Sequence, residues 1–260
     1  MQYLFNEVQH LHTLDDKPLT GTSSVMDVIA KTLTWWASGL AVAKFGWRDP
    51  KKNTPEAIKQ ALEEGFAMIK EIITLDEYKK LLDEAYKAHS VKLKSTASTG
   101  KDLHKEIERY VKYAMKPSLK LESFDPKIQP FIDWCDKNVK RFLWSEAHCF
   151  DEEMWVGGIS DIGAELTDGK YAVLDAKSSP KTYINHFIQA AGYAIQIDRN
   201  GLWDSKGRHN LKLDKPMEAL IIIPFGADVI IPEIRYDIDS YKNGFRHALG
   251  LYRLMGLEKY

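Results

Sequence analysis

Apolar residues in the first half of the chain recur at intervals of three and four, the spacing that places them on one face of an α-helix. This pattern predicts helices over about residues 25–45, 55–72, 75–90, 102–116 and 125–141. The small polar residues of 95–100 predict a loop, and residues 1–22 are predicted to be irregular apart from a short strand. We therefore expect the first half to be helical.

The second half of the chain changes to the alternating pattern and β-branched composition of strands. Strands are predicted at about 142–150, 155–166, 170–177, 217–225 and 229–236, and helices at about 181–197 and 239–256. This order is typical of an α/β fold with a mixed β-sheet core flanked by helices. We expect two domains: a helical N-terminal subdomain over residues 1–99 and the mixed core over residues 100–260.

The hairpin between the second and third strands of this core places two carboxylates side by side. The sequence Thr-Asp-Gly at 167–169 predicts a three-residue turn with its glycine in the left-handed conformation, so that Leu166 faces Lys170. Counting back from that pair, Asp161 falls across from Asp175 on the same face of the sheet. A two-residue turn would instead turn the side chain of Asp161 to the opposite face.

Adjacent carboxylates repel, and a divalent cation makes such a pair stable. Oxygen ligands of this kind suit Mg²⁺ or Mn²⁺. Lys177 shares a strand face with Asp175, and a lysine beside a metal-bound water can orient that water and stabilise negative charge on a reacting phosphate. The alternative is that Asp175 and Lys177 are exposed hairpin residues joined by a weak salt bridge.

Composition excludes several classes of protein. With 44% hydrophobic and 28% charged residues, the 260-residue chain is an ordinary globular protein. No apolar run approaches the roughly 20 residues that span a bilayer. The first residues also lack the basic segment followed by an apolar block that is typical of a signal peptide. We therefore expect a cytoplasmic protein without a membrane partner. The two cysteines, Cys135 and Cys149, are too few for an iron–sulfur cluster or an all-cysteine zinc site.

Charge adds one local feature. The net charge of −1 does not by itself indicate a polyanionic partner. Residues 87–105, however, contain five lysines and a single acid. Lys92, Lys94 and Lys101 belong to this run, which can form one wall of a phosphate-binding groove. The alternative is a solvated helix and linker.

Five short motifs follow one another between residues 100 and 193. They are G-x-x-x-H at Gly100–His104, a glutamate at Glu146, GG-x-x-D at Gly157–Asp161, D-x-K at Asp175–Lys177 and Q-x-x-x-Y at Gln189–Tyr193. In this order and with these gaps the motifs resemble the PD-(D/E)XK nuclease superfamily, and within it the RecB-like branch. Each motif is weak alone, and the resemblance rests on all five together.

This resemblance implies a restriction-endonuclease-like fold with one or two Mg²⁺ or Mn²⁺ ions. It implies that His104, Asp161 and Asp175 are metal ligands, helped by the backbone carbonyl of Ala176. It also implies that Glu146 supports the metal or its water.

The same resemblance implies roles in catalysis and DNA contact. Lys177 would be the catalytic lysine, and Gln189 and Tyr193 would position it or contact the DNA backbone near the scissile phosphate. The implied DNA-binding residues are Lys92, Lys94, Lys101 and Ser178.

The absence of four cluster-binding cysteines makes the chain similar to the cluster-free RecB-like members, which are phage exonucleases and the mitochondrial genome maintenance exonuclease. The resemblance then implies an exonuclease that hydrolyses phosphodiester bonds from free, single-stranded DNA ends in phage or bacterial recombination, repair or processing. Further candidate partners are a recombinase, a single-strand-binding protein or a helicase. Two alternatives remain: a nucleic-acid-binding subunit that needs a helicase or recombinase partner, and a restriction-type endonuclease.

Other residues have two interpretations each. Glu108 lies four residues after His104 and can reach the same site or pair with a neighbouring lysine. Tryptophans in the first 155 residues can stack on bases or pack in the core. They include Trp35, Trp36, Trp47 and Trp155.

Overall fold

The computed structural model describes residues 1–29, 34–49, 52–71, 74–116 and 123–258, with the backbone alone at 34–37, 75 and 89–101. The chain forms two compact units. One consists of Met1–Ala30 together with Gly100–Tyr260, and the other of Lys31–Thr99. All candidate site residues from His104 onward therefore belong to the first of these units.

The elements of the first 115 residues are four short strands followed by helices. They are β1 (Tyr3–Asn6), β2 (Leu11–Leu14), β3 (Lys17–Pro18), β4 (Thr20–Gly21), a 3₁₀ helix at Ser24–Val28, α1 (Thr34–Ala43), α2 (Pro55–Glu71) and α3 (Leu75–Met115). In the described residues, no helix has the length and apolar character needed to cross a membrane.

The rest of the chain supplies most of the sheet. Its elements are a 3₁₀ helix at Pro126–Ile128, α4 (Gln129–Asn138), β5 (Val139–Asp151), β6 (Val156–Leu166), β7 (Tyr171–Lys177), α5 (Ile184–Asn200), β8 (Leu202–Trp203), β9 (His209–Leu211), β10 (Ala219–Pro224), β11 (Glu233–Arg235) and α6 (Ile238–Leu254).

The large sheet has the strand order β11-β10-β7-β6-β5-β8-β9, and β4 also pairs with β6. Its pairs are antiparallel except for β10 with β7 and β4 with β6. A parallel pair needs a crossover connection, and α5 lies in the segment that connects β7 to β10. The expected mixed α/β architecture, a sheet flanked by helices, is therefore confirmed, and most of the strand pairs are antiparallel.

The alternation of side chains along β7 gives the sheet two apolar faces. Leu174 packs in a cluster that includes Ile107 of α3 and Phe131 of α4. Val173 packs in a second cluster with Ala194 of α5. Because residues two apart share a face, Asp175 continues the face of Val173, toward α5.

The register of the β6–β7 hairpin is the predicted one. Leu166 donates its N–H to the carbonyl of Lys170 at 2.8 Å, and Gly169 has a φ of +84°. The pairs run from Glu165 with Tyr171 to Ile162 with Leu174. The three-residue turn is therefore confirmed, and it sets the position of Asp161.

The structure corrects the prediction in three places. Residues 95–100 continue α3 instead of forming a loop. In a helix, serine and threonine each cost a few tenths of a kcal/mol and Gly100 costs about 1 kcal/mol, while propagation of an existing helix is favourable. The first 21 residues contain four strands, and the strands β8 and β9 were not predicted. These strands are two to four residues long, too short to show a period.

The N-terminal residues pack on the core rather than with the helices that follow them. β4 pairs with β6, and the ring of Tyr3 stacks on Phe150 of β5 at a centroid distance of 4.9 Å. Trp155 is fixed in the same region, where its indole N–H donates to the carbonyl of Pro18. Trp47 is 43% exposed. The side chains of Trp35 and Trp36 lie outside the described residues.

Gly163 provides a test of how tightly β5 packs on β6. Trp144 faces it across the pair, and a Cβ at position 163 would lie 2.0 Å from the Trp144 ring. We expect Gly163→Ala to lower the free energy of unfolding by about 3 kcal/mol, because the buried ring has to move. Gly250 of α6 has no atom within 4 Å of its Cβ position, so Gly250→Ala should instead raise stability by about 0.5–1 kcal/mol. Urea unfolding of both variants checks this, and equal effects would contradict the packing.

His12 gives the N-terminal strands a dependence on pH. Its side chain is 8% exposed, and its Nδ1 lies 2.6 Å from the hydroxyl of Tyr3. Burial, with His148 and His10 nearby, lowers the pKa of His12 to about 3. His12 therefore takes up a proton near pH 6.5 in the unfolded chain but only near pH 3 in the folded chain. Stability falls as the pH is lowered through this range.

We expect acidification from pH 7 to pH 5 to remove about 2 kcal/mol of stability through His12. His12→Gln should lose less stability than the wild type over the same change. His247→Gln, at an exposed position on α6, should match the wild type. Urea unfolding at the two pH values measures this, and an identical loss in all three proteins would rule out His12 as the cause.

Candidate metal centre

The hairpin places Asp161 of β6 beside Asp175 of β7. Asp161 lies one position beyond the last register pair, Ile162 with Leu174. Its Oδ2 accepts the backbone N–H of Ala176 at 2.8 Å. This hydrogen bond fixes the carboxylate at the end of the pairing, where the two strands separate.

Three side chains from three elements meet at this point. His104 of α3, Glu146 of β5 and Asp161 of β6 each offer a ligand atom, and these atoms all lie within 4.8 Å of one another. His104 Nε2 lies 2.9 Å from Glu146 Oε1. An imidazole with two carboxylates is a donor set that can hold a divalent cation such as Mn²⁺ or Mg²⁺.

The backbone at Glu146 is unusual for a strand. Its φ is +53°, a left-handed conformation in a residue that is not glycine. The residues on either side pair with β6 as Ser145 with Ile162 and Ala147 with Ser160, so Glu146 lies at the level of Asp161. Strained conformations of this kind persist where the surrounding structure enforces them, and they cluster at functional sites.

The charges of the cluster favour a cation. The hydrogen bond with Glu146 and the nearby carboxylates raise the pKa of His104 to about 9, against the opposing effect of burial. Loss of hydration, followed by repulsion from Asp175, raises the pKa of Asp161 to about 7. The His104 shift and the contribution of Asp175 to the Asp161 shift report negative potential, which a bound divalent cation would neutralise while displacing protons.

Lys177 is held beside this cluster by two contacts. Its Nζ lies 2.6 Å from Oδ2 of Asp175, which is 2% exposed, and it donates to Gln189 Oε1 at 3.0 Å. Gln189 Nε2 in turn donates to the hydroxyl of Tyr193 at 2.9 Å. The structure therefore brings together the four residues of the last two motifs as one chain of contacts.

Asp175 is placed differently from the other implied ligands. Loss of hydration raises its pKa, and Lys177 opposes that shift. It is not one of the three residues whose ligand atoms meet, and its close polar contact is with Lys177. Ala176 contributes the backbone N–H that holds Asp161.

Gly158 makes room for Tyr193. A Cβ at Gly158 would lie 2.6 Å from Tyr193 Cε1 and 2.9 Å from Thr22 Oγ1. Thr22 also accepts a hydrogen bond from Gln196 Nε2 at 2.7 Å. The second glycine of the GG-x-x-D motif therefore has a steric role.

Thr22 and Gln196 were not among the sequence candidates. Gln196 lies seven residues after Gln189, two turns along the same face of α5, and this spacing is visible in the sequence. Nothing in the sequence near Thr22 indicates its contact with the site.

The structure also describes two other predicted residues, Ser178 and Glu108. Ser178 is exposed directly after β7. Glu108 forms an ion pair with Lys112, one of the two alternatives for it. The side chains of Lys92, Lys94 and Lys101 lie outside the described residues.

The chain was compared with protein-family models and with curated proteins. No protein-family model matches the chain. A search of curated proteins also finds no match. The function of the site is therefore inferred from its geometry, its chemistry and the sequence motifs.

Proposed function

We propose that the protein is a metal-dependent DNA nuclease of the PD-(D/E)XK superfamily with a restriction-endonuclease-like fold. The observation that carries this proposal is the meeting of His104, Glu146 and Asp161 beside Lys177. A histidine with two carboxylates can hold a cation, and an immobilised ammonium group next to that cation can stabilise negative charge on a reacting phosphate. These are the groups that metal-assisted hydrolysis of a phosphodiester needs.

The origin of these groups in the fold supports the proposal. β5, β6 and β7 form an antiparallel meander, and α5 then leads toward β10, which is parallel to β7. Glu146, Asp161 and Lys177 come from the three consecutive strands, while Gln189 comes from α5. The five sequence motifs thus lie on neighbouring elements, which is what the resemblance to this superfamily implies.

The division of labour among the residues follows from their contacts. His104, Glu146 and Asp161 would hold Mg²⁺ or Mn²⁺, which would polarise the phosphate and lower the pKa of a bound water. Asp175 and Gln189 fix the Lys177 ammonium by an ion pair and a hydrogen bond. Held in this way, Lys177 can orient the attacking water and stabilise negative charge that develops on the phosphate.

We propose DNA ends as the substrate, with hydrolysis proceeding as an exonuclease. Support comes from the similarity to the cluster-free RecB-like exonucleases, since the chain has two cysteines, both buried and unpaired.

Linear and covalently closed circular DNA, each as single and double strands, separate this proposal from its alternatives. Linear DNA should disappear in Mg²⁺ or Mn²⁺ and persist in EDTA, while circular DNA stays intact. Discrete fragments from circular DNA would indicate an endonuclease. Binding of DNA without cleavage in either metal would indicate a subunit that needs a partner.

A further inference from the structure

A cavity of about 550 Å³ adjoins the candidate metal centre. One wall is the edge of β5 from Leu143 to His148, and the other is formed by β8, β9 and the turn between them. β8 pairs with β5 only at His148 with Trp203, so the cavity occupies the space beside β5 where a longer β8 would run. Glu146 belongs both to this wall and to the metal cluster.

The charged groups that line the cavity do not favour a phosphate. Two carboxylates line it, Glu146 and Asp204, and its described lining contains no lysine or arginine. Glu146 is paired with His104, and Asp204 is paired with Arg208. With no lysine or arginine in the described lining to hold an anion, the cavity suits a neutral ligand.

The polar and aromatic groups of the walls fit a planar heterocycle. Trp203 is half-buried and lines the cavity with Ser205 and Asn210. The Asn210 amide can both donate to and accept from a base edge. Ser145 lies on the opposite wall, and its buried hydroxyl has no hydrogen-bond partner. Sites of about 300–1,000 Å³ with apolar walls and a few polar groups are typical of small-ligand binding.

We propose that this cavity receives the base of the nucleotide adjoining the phosphate that is held at the metal centre. The proposal rests on the nuclease function proposed above. Glu146 connects the two sites, since it lies in both.

An abasic nucleotide tests the contact directly. A single-stranded oligonucleotide with one abasic position and its intact counterpart are digested with Mn²⁺, and the rate at the adjoining phosphate is compared. The wild type should cleave roughly tenfold more slowly beside the missing base, because a base contact is lost. Equal rates on the two substrates would overturn the proposal while leaving the nuclease function in place.

A bulky side chain placed in the cavity provides a second test, with a matched control variant. Asn210→Trp puts a bulky ring at an exposed strand position on the cavity wall, and Lys212→Trp does the same at an exposed position outside the lining. Asn210→Trp should cleave intact DNA roughly tenfold more slowly and show no further loss beside an abasic position. Lys212→Trp should behave as the wild type. An unimpaired Asn210→Trp that still responds to the missing base would overturn the proposal.

Nucleoside binding separates this proposal from the nuclease function. Deoxycytidine or deoxyadenosine at millimolar concentration in EDTA should shift the NMR signals of the Asn210 amide and the Trp203 indole. This measurement needs neither metal nor cleavage. Shifts without DNA cleavage would retain the cavity assignment and refute the nuclease, whereas the absence of shifts would refute the cavity assignment.

Discussion

Lys177→Met is expected to lower the rate of DNA cleavage by roughly 10³-fold. Methionine keeps the length of the apolar stem but removes the ammonium group that Asp175 and Gln189 hold in place. The variant should still bind Mn²⁺, because Lys177 is not one of the three clustered ligands. Single-turnover cleavage of end-labelled DNA in saturating Mn²⁺ measures the rate, and Mn²⁺ titration of the same preparation measures the metal affinity.

The matched control for this variant is Lys181→Met. Lys181 is exposed four residues after Lys177, so the two variants lose the same charge. Lys181→Met should retain most of the wild-type rate. If both variants lost activity equally, the general positive charge of this segment would matter and the placement of Lys177 would not. Thermal unfolding of both proteins shows whether Lys177→Met is folded despite the unpaired Asp175.

Asp161→Asn is expected to raise stability in the absence of metal and to lose the stabilisation that Mn²⁺ gives the wild type. Burial and Asp175 raise the pKa of Asp161 to about 7, above its unfolded value, so stability falls as the pH rises from about 4 to 7. At pH 8 the ionised carboxylate costs up to about 4 kcal/mol. Asparagine removes this cost while its side-chain oxygen can still accept the Ala176 N–H. In EDTA the variant should therefore unfold roughly 5 °C or more above the wild type.

The stabilisation by Mn²⁺ should be larger in the wild type than in this variant. A ligand that binds the folded state adds about 2.7 kcal/mol at 100 times its dissociation constant, so Mn²⁺ should raise the unfolding temperature of the wild type. Asp161→Asn lacks one charged ligand and should respond little. Asp168→Asn, in the exposed turn of the same hairpin, should keep the metal response without the gain in EDTA. A wild-type protein that ignores Mn²⁺ would contradict the metal centre.

The part of the site that follows local rules could be predicted from the sequence. The turn at 167–169 fixes the register of two strands, and strand alternation then places Asp161 and Asp175 on one face. Gln189 and Tyr193 are four residues apart in the sequence, which places them on one face of a helix, and the two are hydrogen-bonded. These inferences need only short segments whose geometry is set by the backbone.

The rest depends on contacts between distant segments. The left-handed backbone of Glu146 lies inside β5, where no turn residue in the sequence predicts it. Thr22 reaches the site because β4 pairs with β6, and strands of two residues carry no period. Counting residues along the strand predicts which face of the sheet carries Asp175, but it does not predict the side-chain rotamer. In the structure the carboxylate of Asp175 contacts Lys177. The cavity beside Glu146 exists because β8 pairs with β5 at a single position.

The cluster of His104, Glu146 and Asp161 is expected to bind the divalent ion on which DNA cleavage depends. The most direct measurement follows bound Mn²⁺ by electron paramagnetic resonance and cleavage of end-labelled single-stranded DNA in the same titration, for the wild type and His104→Ala. Cleavage should rise in proportion to bound Mn²⁺. His104→Ala should move the binding curve and the cleavage curve to higher Mn²⁺ concentration by the same factor. Cleavage in the wild type without bound metal, or identical binding curves for the two proteins, would contradict this expectation.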